Sequence, residues 1–403
     1  MVHQMMPTNI RPAPSASRSS KVMRRWLGWL LGASIVGILA ACGSAPPLVR
    51  APVEPARTAA PSAPAAMAPA VGPALTQSRS RWVPVGWETL PGWGNDNLFE
   101  AWNAWLKSCE KPPAPLAALC AEVRRLSIGT PQEQLEWMQA RLQPYRVETL
   151  QGEPTGLLTG YYEPTLDASR QAAPGFSVPL YQLPVGMGQR KPWFTRQEMD
   201  TLPEAQAALR GKAIAYLADP VDALVLQIQG SGRIRMASSD GGARWIRLAY
   251  AGTNDQPYRS VGRWLLDQGL IKDASWPGIK AWLAQNPQRQ QEMLWANPRV
   301  VFFKEEPLGE LDAAFGPKGA QGVALTPGRS IAVDPGSIPY GAPVWLVSNG
   351  NQTNLQKLVL AQDTGSAITG AVRADYFAGW GSDAAELAGR LRQPLQMWIL
   401  WPK

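Results

Sequence analysis

Ser330-Ile331-Ala332-Val333-Asp334-Pro335-Gly336-Ser337-Ile338-Pro339 is followed by Lys357-Leu358-Val359-Leu360-Ala361-Gln362-Asp363-Thr364-Gly365-Ser366-Ala367-Ile368, and then by Arg373-Ala374-Asp375-Tyr376-Phe377. Two short apolar runs, Ser330 to Val333 and Lys357 to Ala361, each end on a polar or Gly-containing segment. That texture is strand followed by turn. Working outward, Leu157 to Tyr162, Ala213 to Leu217, Ala223 to Gln229, Trp245 to Tyr250, Pro343 to Val347 and Gln396 to Trp401 read as further strands. The fold class expected is mainly β. The three aspartates fall near the ends of predicted strands, in loops, which is where functional side chains concentrate on a rigid scaffold.

Helices are expected upstream and in one interlude. Asp96 is placed to cap a helix from Asn97 to Lys107, and Thr130-Pro131-Gln132-Glu133 is a capping-box start for a helix ending near Leu142. Ala117 to Leu126 supplies another. Arg259 to Gln268, Pro277 to Gln285 and a third segment ending near Trp295 read as amphipathic helices. No fixed-period repeat is present.

The N-terminus speaks of compartment. Lys21, Arg24 and Arg25 precede an apolar stretch from Trp26 to Ala41, closing on Leu39-Ala40-Ala41-Cys42. A short apolar run behind a basic start is a secretory signal rather than a spanning helix. A cysteine directly after Leu-Ala-Ala resembles a lipobox, so residues 1–41 read as a signal peptide and Cys42 as the lipidated first residue. Gly43 after it favours sorting to the outer membrane, with the folded part facing the periplasm. Residues 42–80, rich in Ala and Pro, read as a tether.

Composition removes several function classes. The formal net charge is +8, but five of the cations precede Cys42, and without them it is only +3. That is no footprint for nucleic acid. The single histidine is His3, so the part after Cys42 cannot run imidazole-based triads or hold a metal through histidine. Acid–base chemistry must rest on Asp, Glu, Lys or Tyr. No metal, no cofactor and no protein partner is indicated, and the chain is expected to work as a monomer. Cys109 and Cys120 either form a disulfide closing a small loop or stay buried thiols.

Three stretches resemble the family of membrane-bound lytic murein transglycosylase A: Thr159-Gly160-Tyr161-Tyr162-Glu163-Pro164, Leu226-Gln227-Ile228-Gln229-Gly230-Ser231-Gly232-Arg233, and the three-aspartate set quoted above. The resemblance runs from about Trp82 to Lys403. It implies a double-ψ β-barrel built from residues 81–165 and 306–403, with a mostly β domain, 166–305, inserted. It also implies a groove holding peptidoglycan glycan strands, and cleavage of the MurNAc-β-1,4-GlcNAc bond without water to leave a 1,6-anhydro end. One carboxyl suffices for that chemistry. It protonates the leaving oxygen and then takes the proton of the C6 hydroxyl, which attacks the anomeric carbon of its own sugar. A hydrolase needs two carboxylates at a set separation.

By resemblance Asp375 is the acid/base and Asp363 its neighbour, with Asp334 mainly structural. On the residues alone, Asp334-Pro335 is equally an Asx-turn, Asp363-Thr364-Gly365 a side-chain-closed turn, and Asp375 a solvated loop residue. Ser366 departs from the family, which often has a second glycine there. Gln227, Gln229, Ser231, Arg233 and Thr364 are candidates to bind sugar hydroxyl or acetamido groups. If Gln227 and Gln229 share a strand, they face the same way. Tyr161 and Tyr162 would face opposite ways, so one of them stacks on sugar at most. Most tryptophans are expected in cores, with Trp380 the best candidate for stacking. Glu163 reads as a surface residue, or as a second carboxylate if the enzyme is a hydrolase. A non-catalytic wall-binding lipoprotein is the remaining alternative.

Overall fold

The computed structural model describes residues 72–237 and 243–403. All belong to one compact unit, Ala66–Lys403. The signal peptide, Cys42 and most of the tether lie outside the described residues.

Among the described residues the strands are β1 (Leu75–Thr76), β2 (Arg81–Pro84), β3 (Leu142–Glu148), β4 (Gly156–Glu163), β5 (Thr165–Ala168), β6 (Val178–Tyr181), β7 (Ala213–Leu217), β8 (Gly232–Ala237), β9 (Ala243–Thr253), β10 (Val301–Pro307), β11 (Ser330–Val333), β12 (Pro343–Asn349), β13 (Asn354–Asp363), β14 (Arg373–Trp380) and β15 (Arg392–Pro402). One sheet has the order β1-β2-β3-β15-β12-β13-β11-β14-β4, and β15 also pairs with β4. That extra pairing closes β4, β15, β12, β13, β11 and β14 into a ring. Two of its contacts, β11 with β13 and β14 with β4, are parallel, and the others are antiparallel. This is a double-ψ β-barrel.

Alternation along the strands explains why the ring fills rather than forming a pore. Val344, Leu346, Val359 and Ala361 join residues from every other ring strand, including Leu158, Ile331, Ala374 and Met397, in one buried cluster. Their neighbours Trp345, Leu358 and Leu360 turn outward and pack with Trp102, Trp105 and Trp398. Both faces of β12 are thus covered, and it reads as a continuous apolar run. Among the described residues eight tryptophans, Trp82, Trp102, Trp105, Trp137, Trp193, Trp282, Trp345 and Trp398, are buried core.

The helix Leu98–Ser108 lies on that outer face, but Asp96 does not cap it. Its N-cap is Asn97 and no side chain caps it. Asp96 instead holds the buried Arg329 guanidinium through both oxygens and accepts the Leu358 N–H. A buried cation outcompetes an N-cap for the carboxylate because it has no water to fall back on. Cys109 and Cys120 are joined in a disulfide. The Thr130 capping box forms as expected at the start of Pro131–Arg141.

Between β4 and β11 the chain builds a second sheet, β10-β9-β8-β5, and a separate β6-β7 pair. Ile234, Ile246, Leu248 and Phe303 fill one face of the four-stranded sheet. The reading of Ala223 to Gln229 as a strand is corrected: Pro220–Gln229 is a helix. Asp219 caps it, Pro220 occupies its first turn, and Gly230, at φ 84°, ends it in the left-handed region. A short apolar run does not distinguish a buried strand from a buried helix, whereas these flanking signals do.

Candidate active site

Asp375 is not on a loop. It is the third residue of β14, flanked by Ala332 of β11 and Thr159 of β4. The Thr159 hydroxyl donates to Asp375 Oδ1 and itself receives a hydrogen bond from Arg373 Nη2 at 2.8 Å. Burial pushes the Asp375 carboxyl above the usual carboxylate range, while Thr159 and the Arg373 charge pull the other way. A strand fixes this side chain more firmly than a loop would.

Asp363 ends β13. Its Oδ2 accepts the Tyr161 hydroxyl at 2.9 Å and its Oδ1 the Ala320 N–H at 2.9 Å. Burial still pushes it up to about 6, against hydrogen bonds from Thr364, Ala320 and Tyr161, and the charge of Asp375 adds to the rise. Burial and the neighbouring Asp363 raise the Tyr161 phenol well above its ordinary value, so it stays a donor. Its ring packs against Phe377 at 5.2 Å.

Asp334 does something else. It follows β11, is buried, and accepts the Gly336 N–H at 2.9 Å and the Gly370 N–H at 2.8 Å. Arg79 stands 3.5 Å away. This is an Asx-type tie between two loops.

A cleft opens over the two raised carboxyls in two connected lobes that share Arg299, Gly365 and Ser366. The smaller, about 150 Å³, contains Asp375 with Gln227, Tyr258 and Asn297. The larger, about 580 Å³, contains Asp363 with Tyr161, Gln229, Ser231, Thr364 and Lys304. One wall comes from the barrel and the other from the segment between β4 and β11.

Gln227 and Gln229 reach different lobes, because two residues apart on a helix they do not share a face. Gln227 Oε1 accepts from Arg196 at 2.6 Å, and Gln229 Oε1 accepts the Tyr162 N–H at 3.0 Å. Tyr162 packs against the helical cluster around Trp282. Three residues are not where the sequence suggested. Glu163 is fully buried, with Oε1 bound by Arg247 at 2.6 Å and Oε2 by Arg233 at 2.8 Å. Arg233 therefore lies in this ion cluster, and its remaining nitrogens donate to the Ala313 and Phe315 carbonyls. Trp380 stacks on that guanidinium at 3.6 Å and lines a different pocket, with Thr165 and Trp245. An unpaired buried arginine is costly, so its position follows its carboxylate.

Arg299, Lys304 and Tyr258 went unnoticed in the sequence, and nothing local marks them. Thr159 and Arg373 lay inside the stretches already singled out. Their alternation with Tyr161 and Asp375 was the available signal.

Comparison with known proteins finds two family matches, the MltA specific insert domain over residues 157–304 and the 3D domain over residues 329–401. Membrane-bound lytic murein transglycosylase A of Escherichia coli (strain K12) is 34% identical over 254 residues, 60% of this chain and 64% of that protein. The match thus spans a little under two thirds of that relative's length. Among solved structures, a lytic transglycosylase, LtgG, of Burkholderia pseudomallei is 41% identical, covers 83% of this chain and 100% of that chain, and has a TM-score of 0.56. MltA from Neisseria gonorrhoeae, in a monoclinic crystal form, is 29% identical, with 85% and 98% covered and a TM-score of 0.67.

Proposed function

The chain belongs to the membrane-bound lytic murein transglycosylase A family, and from that premise we propose that it cleaves the MurNAc-β-1,4-GlcNAc bond of peptidoglycan with formation of a 1,6-anhydroMurNAc end. The carrying observation is a strand-borne, half-buried Asp375 whose raised carboxyl opens into a cleft beside a second raised carboxyl. The groove runs between the barrel, residues 81–165 and 306–403, and the 166–305 insert.

In this reading Asp375 keeps its proton at a pH where an ordinary aspartate has lost it, and gives it to the glycosidic oxygen as that bond breaks. The carboxylate left behind takes the proton of the C6 hydroxyl as that oxygen bonds to the anomeric carbon. The proton count closes on one residue and no water enters. Thr159 and Arg373 hold the carboxylate for this second step. Asp363, oriented by Tyr161 and Ala320, places the sugar and tunes the local charge. Gln229, Ser231 and Thr364 line the same lobe and bind sugar hydroxyl or acetamido groups.

A two-carboxylate hydrolase is the competing enzyme, and Glu163 is unavailable to it because both its oxygens are held by arginine. The test is mass analysis of soluble products after digestion of sacculi. Anhydro-muropeptides from the wild type, with turnover reduced at least ~10²-fold in Asp375→Asn, support the reading. Reducing ends carrying solvent oxygen would mean hydrolysis, and intact sacculi a binding protein.

The relatives are named membrane-bound. Among the described residues no helix is long and apolar enough to cross a membrane. We place the attachment at a lipid on Cys42, holding the enzyme at the outer membrane and facing the periplasm.

A further inference from the structure

The segment between β4 and β11 contains a cavity of about 700 Å³ that the proposed chemistry does not use, lined among others by Tyr181, Arg196, Asp200, Gln227, Gln290 and Trp295. Gln227 also lines the Asp375 lobe, so the two spaces share a wall. Arg196 is the unusual member. Among the described residues its guanidinium donates to neutral acceptors alone, the Asn297 carbonyl at 3.1 Å, Gln227 Oε1 at 2.6 Å and the Arg299 carbonyl at 2.6 Å. Among the described residues no carboxylate oxygen lies within 4.0 Å of it and its Nη1 has no hydrogen-bond partner. Burial pulls it down to about 10, with the Asp200 charge opposing. Asp200 is engaged elsewhere, its Oδ2 accepting from Gln291 at 2.6 Å and Trp295 at 2.8 Å.

Arginines in a protein interior are ordinarily paired with a carboxylate. A guanidinium left without one beside an open cavity is matched in charge and fork geometry to an incoming carboxylate. We propose that this cavity binds a carboxylate carried by the glycan strand, on the substituent of the sugar held at Asp375, with Arg196 as the receiving cation. The inference rests on the glycan reading above. It makes the cavity a specificity site that separates substituted peptidoglycan from plain amino-sugar polymers. Two parts of the substrate class carry such a group, the lactyl carboxylate of peptide-free muramic acid and the carboxylates of a stem peptide.

The experiment is calorimetric titration of the Asp375→Asn protein with three tetrasaccharides: chitotetraose, peptide-free MurNAc–GlcNAc, and the same glycan bearing stem peptides. We expect at least one carboxylate-bearing ligand to bind about 10- to 100-fold more tightly than chitotetraose, the range of a charge-assisted hydrogen bond. Adding Arg196→Gln should abolish that gain while leaving chitotetraose unchanged. Ser177→Glu, which puts an anion on an exposed residue of the cavity lining, should reduce it in the same selective way. A gain with the peptide-free ligand assigns the lactyl group, and a gain only with the substituted one assigns the stem. Equal binding of all three, or a gain that survives both variants, overturns the proposal. If Arg196→Gln also loses chitotetraose, its fold is damaged and Ser177→Glu decides. No turnover is measured, so the outcome is independent of the anhydro-product test.

Discussion

Replacing Glu163 by glutamine removes one negative charge from a deeply buried site. Glu163 is 0% exposed, and Arg233 and Arg247 are 6% exposed each. Three hydrogen bonds reach its carboxylate, at 2.6, 2.8 and 3.3 Å. The amide keeps the shape but leaves two guanidinium groups facing each other, with the Ala313 and Phe315 carbonyls as their main remaining acceptors. Breaking a buried pair by removing one partner costs about 3–5 kcal/mol, far more than the pair's net contribution against an apolar replacement. The cluster sits where β4 leaves the barrel for β5, and it also holds the 313–315 segment. The loss should therefore appear both in global stability and as local opening of the 308–316 segment. Denaturant unfolding should show a lower midpoint at unchanged slope, and limited proteolysis should cut faster within residues 308–316. Because catalysis is assigned to Asp375 and not to Glu163, anhydro-product formation should persist at a temperature where the variant is folded. A loss under about 1 kcal/mol would refute the reasoning, since that is the range of an exposed ion pair. Loss of turnover in a fully folded Glu163→Gln would refute the separation of the cluster from the chemistry.

Asp363 carries a pH signature. Its folded value, about 6, lies above the ordinary 3.8, so its contribution to stability is fully present below about pH 3.8 and is lost as pH rises through about 6. The melting temperature of Asp363→Asn relative to wild type should therefore rise between pH 4 and pH 7, and a flat difference would place Asp363 in a solvated, unperturbed setting. Cys42→Ser should move the protein from the outer-membrane fraction to the soluble periplasmic fraction, and continued membrane fractionation would count against lipidation there.

The barrel was legible because its strands are short, continuous apolar runs bounded by polar turns. Ser330 to Val333, Pro343 to Val347 and Lys357 to Ala361 are each covered on both faces, and beyond the first residue of each no polar side chain interrupts them. β14 was not legible. Asp375 read as a loop residue, since a strand bearing a carboxylate on its cleft side breaks the apolar pattern. The same cause hid the site's geometry: local rules favour a loop at the position where function demands a rigid polar strand. The misplacements of Arg233, Trp380 and Glu163 have a different origin. Each was judged by its nearest neighbours in sequence, whereas Glu163 meets Arg233 and Arg247 across separations of 70 and 84 residues. Asp96 was misjudged likewise, its partner Arg329 lying 233 residues away.

The three aspartates of the motif therefore share a spelling and little else. Asp334 is spent on backbone amides and ties two loops, and it does not line the cleft. Asp363 and Asp375 are both desolvated, but their partners differ in kind. Tyr161 and two backbone amides fix Asp363 with donors that do not change during a reaction, a suitable setting for a group that orients. Asp375 has a threonine hydroxyl, itself held by Arg373, and that small relay can follow a carboxyl through loss and recovery of its proton. An acid that must also become the base needs this reversibility. That difference in partners supports the proposed assignment of the chemistry to Asp375.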